Sequence, residues 1–177
     1  MPWGPSKWNK ICPPEDSSTG GIQCHCDIIA IVININYKLV ETDEEMEAVL
    51  ELRRQVFSLE QGIAESLVCD AQDREALQII VKSGSAIIGT ARIRFLGDNC
   101  AKIERMAVIR GWRRRGIGRG IMTFLTDELK RRRIDKAVLH AQNDVVYFYK
   151  SMGYGISGAP FEEVGVKHLP MERSLPD

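Results

Sequence analysis

Arg113-Arg114-Arg115-Gly116-Ile117-Gly118 is the stretch around which the rest of the chain can be read. It follows a strand-like run, Lys102 to Ile109, and opens a segment in which Ile117, Ile121, Phe124, Leu125 and Leu129 recur on one helical face. A helix N-terminus offers unpaired N–H groups and the positive end of its dipole, and both attract anions. Gly116 and Gly118 let the backbone come close to a phosphate, and the arginines add charge around it. The stretch is not a Walker loop, since no Gly-Lys-Ser/Thr follows. Nor is it the dinucleotide fingerprint, because Gly116, Gly118 and Gly120 lack the three-residue step. The competing reading is a solvated arginine cluster that binds RNA. Charge runs are common, but a strand, a glycine loop and an amphipathic helix in that order favour a phosphate loop.

Working outward, Tyr37 to Val40 reads as a strand and Thr42-Asp43-Glu44-Glu45 as a capping box. Met46, Val49, Leu50, Val56 and Phe57 continue it at helical spacing. Residues 58–75 are polar and irregular, a loop with a short helix. Leu77 to Lys82 and Ala86 to Leu96 are strands joined by the turn signal Ser83-Gly84-Ser85. Beyond the amphipathic helix, Ala137 to His140 is a short strand. A second helix spans about Asp144 to Met152, with Asn143 as N-cap and Gly153 as its stop. Strands around 161–166 and 169–173 close the chain. This order of elements gives an α/β fold with a mixed sheet.

The chain has 177 residues, 44% of them hydrophobic and 27% charged, the balance of one globular domain with a proper core. Its formal net charge is zero, so no global field recruits nucleic acid or a membrane. Positive charge is instead gathered between Arg105 and Lys136, which suggests an anionic ligand held at one place. Residues 1–34 are rich in proline, serine and glycine without helical or strand period, and read as a disordered tail before a domain at 35–177. The apolar run Ile28 to Ile35 is too short to span a bilayer. The five cysteines are odd in number and match no disulfide framework, so they read as reduced thiols in a cytoplasmic protein. Cys24-His25-Cys26 lacks the spacing of paired zinc ligands, and no metal is expected.

Arg113-x-x-Gly116-x-Gly118 resembles the Arg/Gln-x-x-Gly-x-Gly/Ala motif of the GNAT superfamily of N-acetyltransferases, in which that loop holds the pyrophosphate of coenzyme A. Phe148-Tyr149-Lys150-Ser151-Met152-Gly153-Tyr154 resembles the superfamily's Leu-Tyr-Glu-Lys-x-Gly-Phe block at the expected distance. The likeness runs over about residues 36–173. Within the superfamily the chain is most similar to the ElaA/YjcF-type proteins. Val56-Phe57 with Glu60-Gln61, Gly89-Thr90-Ala91-Arg92, Lys102-Ile103-Glu104-Arg105 and Leu139-His140-Ala141-Gln142 carry that likeness, with Phe161-x-Glu163-x-Gly165-x-x-His168-x-x-Met171. Two departures stand out. Gln142 occupies the place of a CoA-contacting asparagine, with Asn143 beside it, and Lys167 stands where the subfamily has proline.

The resemblance implies a GNAT fold, a mixed sheet with a splayed strand pair and flanking helices. It implies acetyl-CoA as acyl donor, no metal, and a small-molecule or peptide amine as acceptor, with a homodimer left open. By position it assigns the cofactor to Met106, Ala107 and Val108, to Arg113, Arg114, Arg115, Gly116, Ile117, Gly118 and Arg119, and to Gln142 and Asn143. Strand alternation places Lys102, Glu104, Met106 and Val108 on one side, which makes Glu104 the candidate base, the plain alternative being a salt bridge. His140 and His168 are further candidates for base or substrate ligand. Glu163 is a candidate for binding a substrate cation, and Arg92 either binds an anionic substrate group or pairs with Glu104. Tyr149 is expected to protonate the leaving thiolate. Lys102 to Val108 and Asn143 to Tyr149 also resemble hexosamine-phosphate N-acetyltransferases. A CoA-binding sensor without catalysis is the alternative from a different class.

Overall fold

A computed structural model describes residues 34–175. The expected disordered tail, the run from Ile28 and the Cys24-His25-Cys26 fragment lie outside the described residues. Strand β1 (Ile35–Leu39) leads to helix α1 (Asp43–Arg53). The Thr42 hydroxyl caps α1 by accepting the Glu45 N–H at 3.2 Å, while the Glu45 carboxylate reaches back to the Glu41 N–H at 3.1 Å. The capping box is thus closed one residue earlier than its pattern suggests.

The segment expected to be mostly loop is more ordered than that. The chain passes from α1 directly into a π-helical stretch, Arg54–Leu59, which buries Val56 against Leu52 and Ala107. Helix α2 (Glu65–Val68) and a 3-10 turn (Ala71–Arg74) follow. Wide helical turns of this kind are commonly found at functional sites, and this one leads into the wall of the cleft described below.

Strands β2 (Leu77–Ser83), β3 (Ala86–Gly97) and β4 (Cys100–Val108) form an antiparallel meander. Helix α3 (Ile117–Arg131) crosses over to β5 (Lys136–Gln142), which lies parallel to β4. The chain ends in α4 (Val146–Lys150) and strands β6 (Gly155–Ile156), β7 (Phe161–Glu163) and β8 (Val166–Ser174). Among the described residues the sheet has eight strands in the order β1-β2-β3-β4-β5-β8-β6, with β7 on β8. β6 is not among the strands expected above. Val164 and Gly165, both with positive φ, make the turn between β7 and β8, so the strands expected at 161–166 and 169–173 divide earlier.

Asn143 does not cap a helix. It begins a 3-10 turn, Asn143–Val145, and the residue ahead of α4 is Val145, with no side-chain cap bond. Gly153, at φ +86°, does end α4, its N–H reaching the Lys150 carbonyl at 3.0 Å.

Two packings hold the sheet. On one face α3 buries Ile121, Met122, Leu125 and Leu129 against Ile93, Ile103 and their neighbours. The amphipathic stripe read from the sequence is this contact. On the other face, under α1, lies a charged layer. Arg53 and Arg92 are almost wholly buried, and Arg92 bridges Asp70, Asp73 and Glu104 at 2.7–3.0 Å. Arg53 binds Asp73 at 2.7 Å and the Gln78 side chain. Buried ions persist only when paired in this way.

Candidate active site

β4 and β5 pair only from Cys100↔Lys136 to Ile103↔Leu139. Beyond that point β4 stays on β3 while His140, Ala141 and Gln142 stay on β8, so the two strands part into a wedge. A cleft of about 760 Å³ fills this wedge.

The β4 wall is shaped by a bulge. Thr90 pairs with Ala107 and Arg92 with Glu104, so Arg105 and Met106 together oppose Ala91 alone. Arg105 has φ +52°, the left-handed region that favours glycine. One extra residue reverses the facing of all that follow. Ala101 and Ile103 pack in the α3 core, and after the bulge it is Met106 and Val108 that do so, while Ala107 packs under Leu52 and Val56. The expectation that Lys102, Glu104, Met106 and Val108 share one side is therefore corrected. Lys102 and Glu104 face the α1 side, and Met106 and Val108 the other.

The correction changes the standing of Glu104. It lies 2.8 Å from the Arg92 and Arg94 guanidiniums and 3.0 Å from the Lys102 ammonium. Burial pushes its carboxyl up, but hydrogen bonds from Arg94, Lys102 and Arg92 outweigh that and hold it at about 2. A carboxylate that prefers its charge so strongly is a poor proton acceptor near neutrality. Arg92 is 1% exposed and spent on three carboxylates. It does not reach the cleft wall, so its assignment to a substrate anion is corrected in favour of pairing with Glu104.

Both candidate histidines line the cleft. His168 Nδ1 sits 2.9 Å from the Val166 carbonyl. A carbonyl only accepts, so Nδ1 carries the hydrogen and a neutral ring keeps its lone pair on Nε2. His140 Nδ1 faces a Glu163 carboxylate oxygen at 3.4 Å, which favours the same tautomer. Phe161 meets the His140 ring edge-on at 4.7 Å and stacks on His168 at 5.8 Å, fixing both rings.

Tyr149 approaches from the opposite side of the wedge. Its hydroxyl donates to Met106 Sδ at 3.5 Å, a weak acceptor, and burial pushes the phenol up to about 12. The bulge makes this contact, because it turns Met106 toward Tyr149.

The phosphate loop closes one end. Gly116, at φ +81°, is the residue ahead of α3, and Arg114 also has positive φ. A Cβ on Gly118 would stand 3.3 Å from Met106 Cε and 3.5 Å from Phe148 Cζ, so a side chain there would fill the cleft floor. Arg113, Arg114 and Arg119 line the cleft. Arg115 does not, its guanidinium lying 5.4 Å from the centre of the Trp112 ring, and Ile117 is buried in the core, leaving only its backbone for a ligand. Gln142 lines the cleft and donates to the Gln61 side chain at 3.3 Å. Asn143 is not on the wall, whereas Asp144 and Val145 are. The structure adds Phe57, Gln61, Ile63 and Leu67, carried by the π-helical stretch and the segment after it. An irregular segment shows no periodicity, and only the Val56-Phe57 and Glu60-Gln61 pairs marked it.

Residues 40–175 match a family described as acetyltransferase (GNAT) domain. YyaT of Bacillus subtilis strain 168, an uncharacterised protein, is 31% identical over 144 residues, covering 80% of this chain and 97% of YyaT. The uncharacterised N-acetyltransferase YjcF of the same organism is 30% identical over 134 residues, 75% and 95% of the two chains. Among solved structures, Escherichia coli ElaA superposes with a TM-score of 0.72 at 24% identity, covering 79% of this chain and 99% of that one. Among the described residues no helix is long and apolar enough to cross a membrane, and no group of three or more metal-ligating side chains converges.

Proposed function

The chain belongs to the GNAT acetyltransferases, and on that premise we propose that it transfers acetyl from acetyl-CoA to a primary amine by direct attack in a ternary complex. One observation carries the reading. A single wedge holds the arginine- and glycine-bearing start of α3 at one end, a phenol on one face and two oriented imidazoles on the other.

Acetyl-CoA supplies an activated acyl carbon and a thiol leaving group. The amides at the start of α3, with Arg113, Arg114 and Arg119, receive the pyrophosphate. The β4 segment Met106–Val108, which has no strand on its β5 side, offers backbone N–H groups toward the acyl oxygen, where negative charge develops. His140, oriented by Glu163, takes the ammonium proton through Nε2, with His168 as the second candidate. Tyr149 holds the proton that the departing sulfur needs.

Two results test this. Gly118→Asp places bulk and negative charge against the phosphates, and is expected to weaken CoA binding at least about tenfold by calorimetry. The fold should be kept, because an acidic residue in the first turn suits the helix dipole. Unchanged affinity would move the pyrophosphate elsewhere. The second is free-thiol release from acetyl-CoA with a panel of primary amines. A protein that binds CoA but gives no thiol release with any amine of the panel would be a sensor. In the same assay Glu104→Gln should keep the acid limb of its kcat/KM profile between about pH 5 and 8, since a carboxyl held at about 2 is already ionised throughout that window. Disappearance of the limb would return Glu104 to the role of base.

A further inference from the structure

Resting on that reading, we propose that the acceptor carries an anionic group, a carboxylate or a phosphate, besides its amine, and that Arg105 with Lys102 receives it. The argument starts from a charge inventory. In the layer under α1, five cations (Arg53, Arg92, Arg94, Lys102 and Arg105) face three carboxylates (Asp70, Asp73 and Glu104). The layer therefore holds two positive charges more than its own acids balance. Of the five, only Lys102 and Arg105 line the cleft. The surplus faces the ligand space.

Arg105 is held there at a cost. A non-glycine residue at φ +52° is strained, and bulges of this kind re-aim side chains. Its own partner uses little of it. Asp70 is already bridged twice by Arg92, at 2.7 and 3.0 Å, and takes one Arg105 nitrogen at 3.2 Å. The Arg105 side chain is 30% exposed and lines the cleft, so an anion there would meet the guanidinium surface that Asp70 leaves free. The cleft acids do not cancel the surplus. Glu104 is spent on three cations, Glu163 faces His140, and Asp144 lies past the end of β5.

Placement agrees with the chemistry. Arg105 follows Glu104 at the point where β4 and β5 part, next to the place of His140 on β5. An acceptor anchored there by its anion would present its amine to the histidine side of the wedge. Apolar Phe57, Ile63 and Leu67 complete that wall, so an uncharged body between amine and anion would find contact.

The test is a binding experiment that needs no turnover. Protein saturated with CoA is titrated calorimetrically with two matched pairs, phenethylamine against phenylalanine and glucosamine against glucosamine 6-phosphate, and with 1,4-diaminobutane as a dication. The first pair reads a carboxylate and the second a phosphate. At least one anionic member is expected to bind about tenfold or more tightly than its uncharged counterpart, the scale of a charge-assisted pair. Arg105→Gly removes the guanidinium and relieves the positive φ, so it should fold and lose the preference. Arg105→Lys should retain part of it. Equal or tighter binding of the members without an anion, or a preference that survives Arg105→Gly, overturns the proposal. Thiol release with the same acceptors reads the transfer reaction separately. An anion preference in binding without thiol release from any of them would keep the Arg105 site and remove the acyl transfer.

Discussion

Arg92→Met is expected to lower the melting temperature by about 6–20 °C. The range converts a loss of about 3–5 kcal/mol, usual when one partner of a buried ion pair is removed, at about 2–4 °C per kcal/mol for a domain of this size. Methionine keeps much of the volume but strands Asp70, Asp73 and Glu104 around a neutral side chain. The loss should depend on pH in a definite direction. Arg92 hydrogen bonding holds the Asp70 carboxyl at about 2, and Glu104 stands at about 2 because three cations outweigh its burial. Folded values below the unfolded ones add stability that is present above about pH 4–5 and is lost as pH falls through about 2. The gap between wild type and variant should therefore be widest near neutrality and narrow on acidification. Thermal melts between pH 3 and 7 that differ by a constant amount, or not at all, would show that the layer does not work as a charge network.

Tyr149→Phe is expected to lower kcat by about ten- to a thousandfold with CoA affinity little changed. The hydroxyl donates to Met106 Sδ, and sulfur is a weak acceptor, so deleting it removes one oxygen and little stability. A phenol pushed up to about 12 keeps its proton throughout the working pH range and is therefore present as a hydrogen-bond donor. In the proposed reaction it would donate to the departing sulfur as negative charge develops there, and burial of that sulfur would raise its basicity in the direction that transfer needs. Wild-type kcat in the variant, measured with any amine that supports thiol release, would take Tyr149 out of the mechanism.

Much of this architecture was legible. The glycines and arginines before α3 mark the phosphate loop because an anion site on a helix start needs those residue types in that order. The hairpin at Ser83-Gly84-Ser85 and the stop at Gly153 follow from local turn chemistry, which tertiary structure rarely overrides. Glu104 was less legible. A glutamate in a strand reads the same whether it is free or pinned by three cations, and Arg92, Arg94 and Lys102 reach it only through strand pairing. Asn143 misled because capping propensity says nothing about a 3-10 turn placed ahead of the helix. The bulge at Arg105 did leave a trace. The residues packed in the α3 core are odd-numbered at Ala101 and Ile103 and even-numbered at Met106 and Val108. Small Ala107, apolar on the other face, hides that change of step from an alternation count.

That change of step makes length itself a functional property of β4. Any single substitution leaves the phase of the strand intact, so the sulfur of Met106 stays turned toward Tyr149 and the backbone beyond it stays in place. Loss of one codon at Arg105 would close the bulge: Glu104 and Met106 would become alternating neighbours, so Met106, Ala107 and Val108 would keep their faces and the strand would lose only the Arg105 side chain and its positive φ. Loss of a codon at Ala107, with the bulge kept, would do what no replacement can and turn every later side chain of the strand to the other face. Among descendants of this chain, drift in the cleft would proceed by exchange of residues, whereas a deletion or insertion in β4 that no bulge absorbs would be a discrete event that redraws both walls together. The edge of the wedge is thus inherited as a count of residues before it is inherited as a set of side chains.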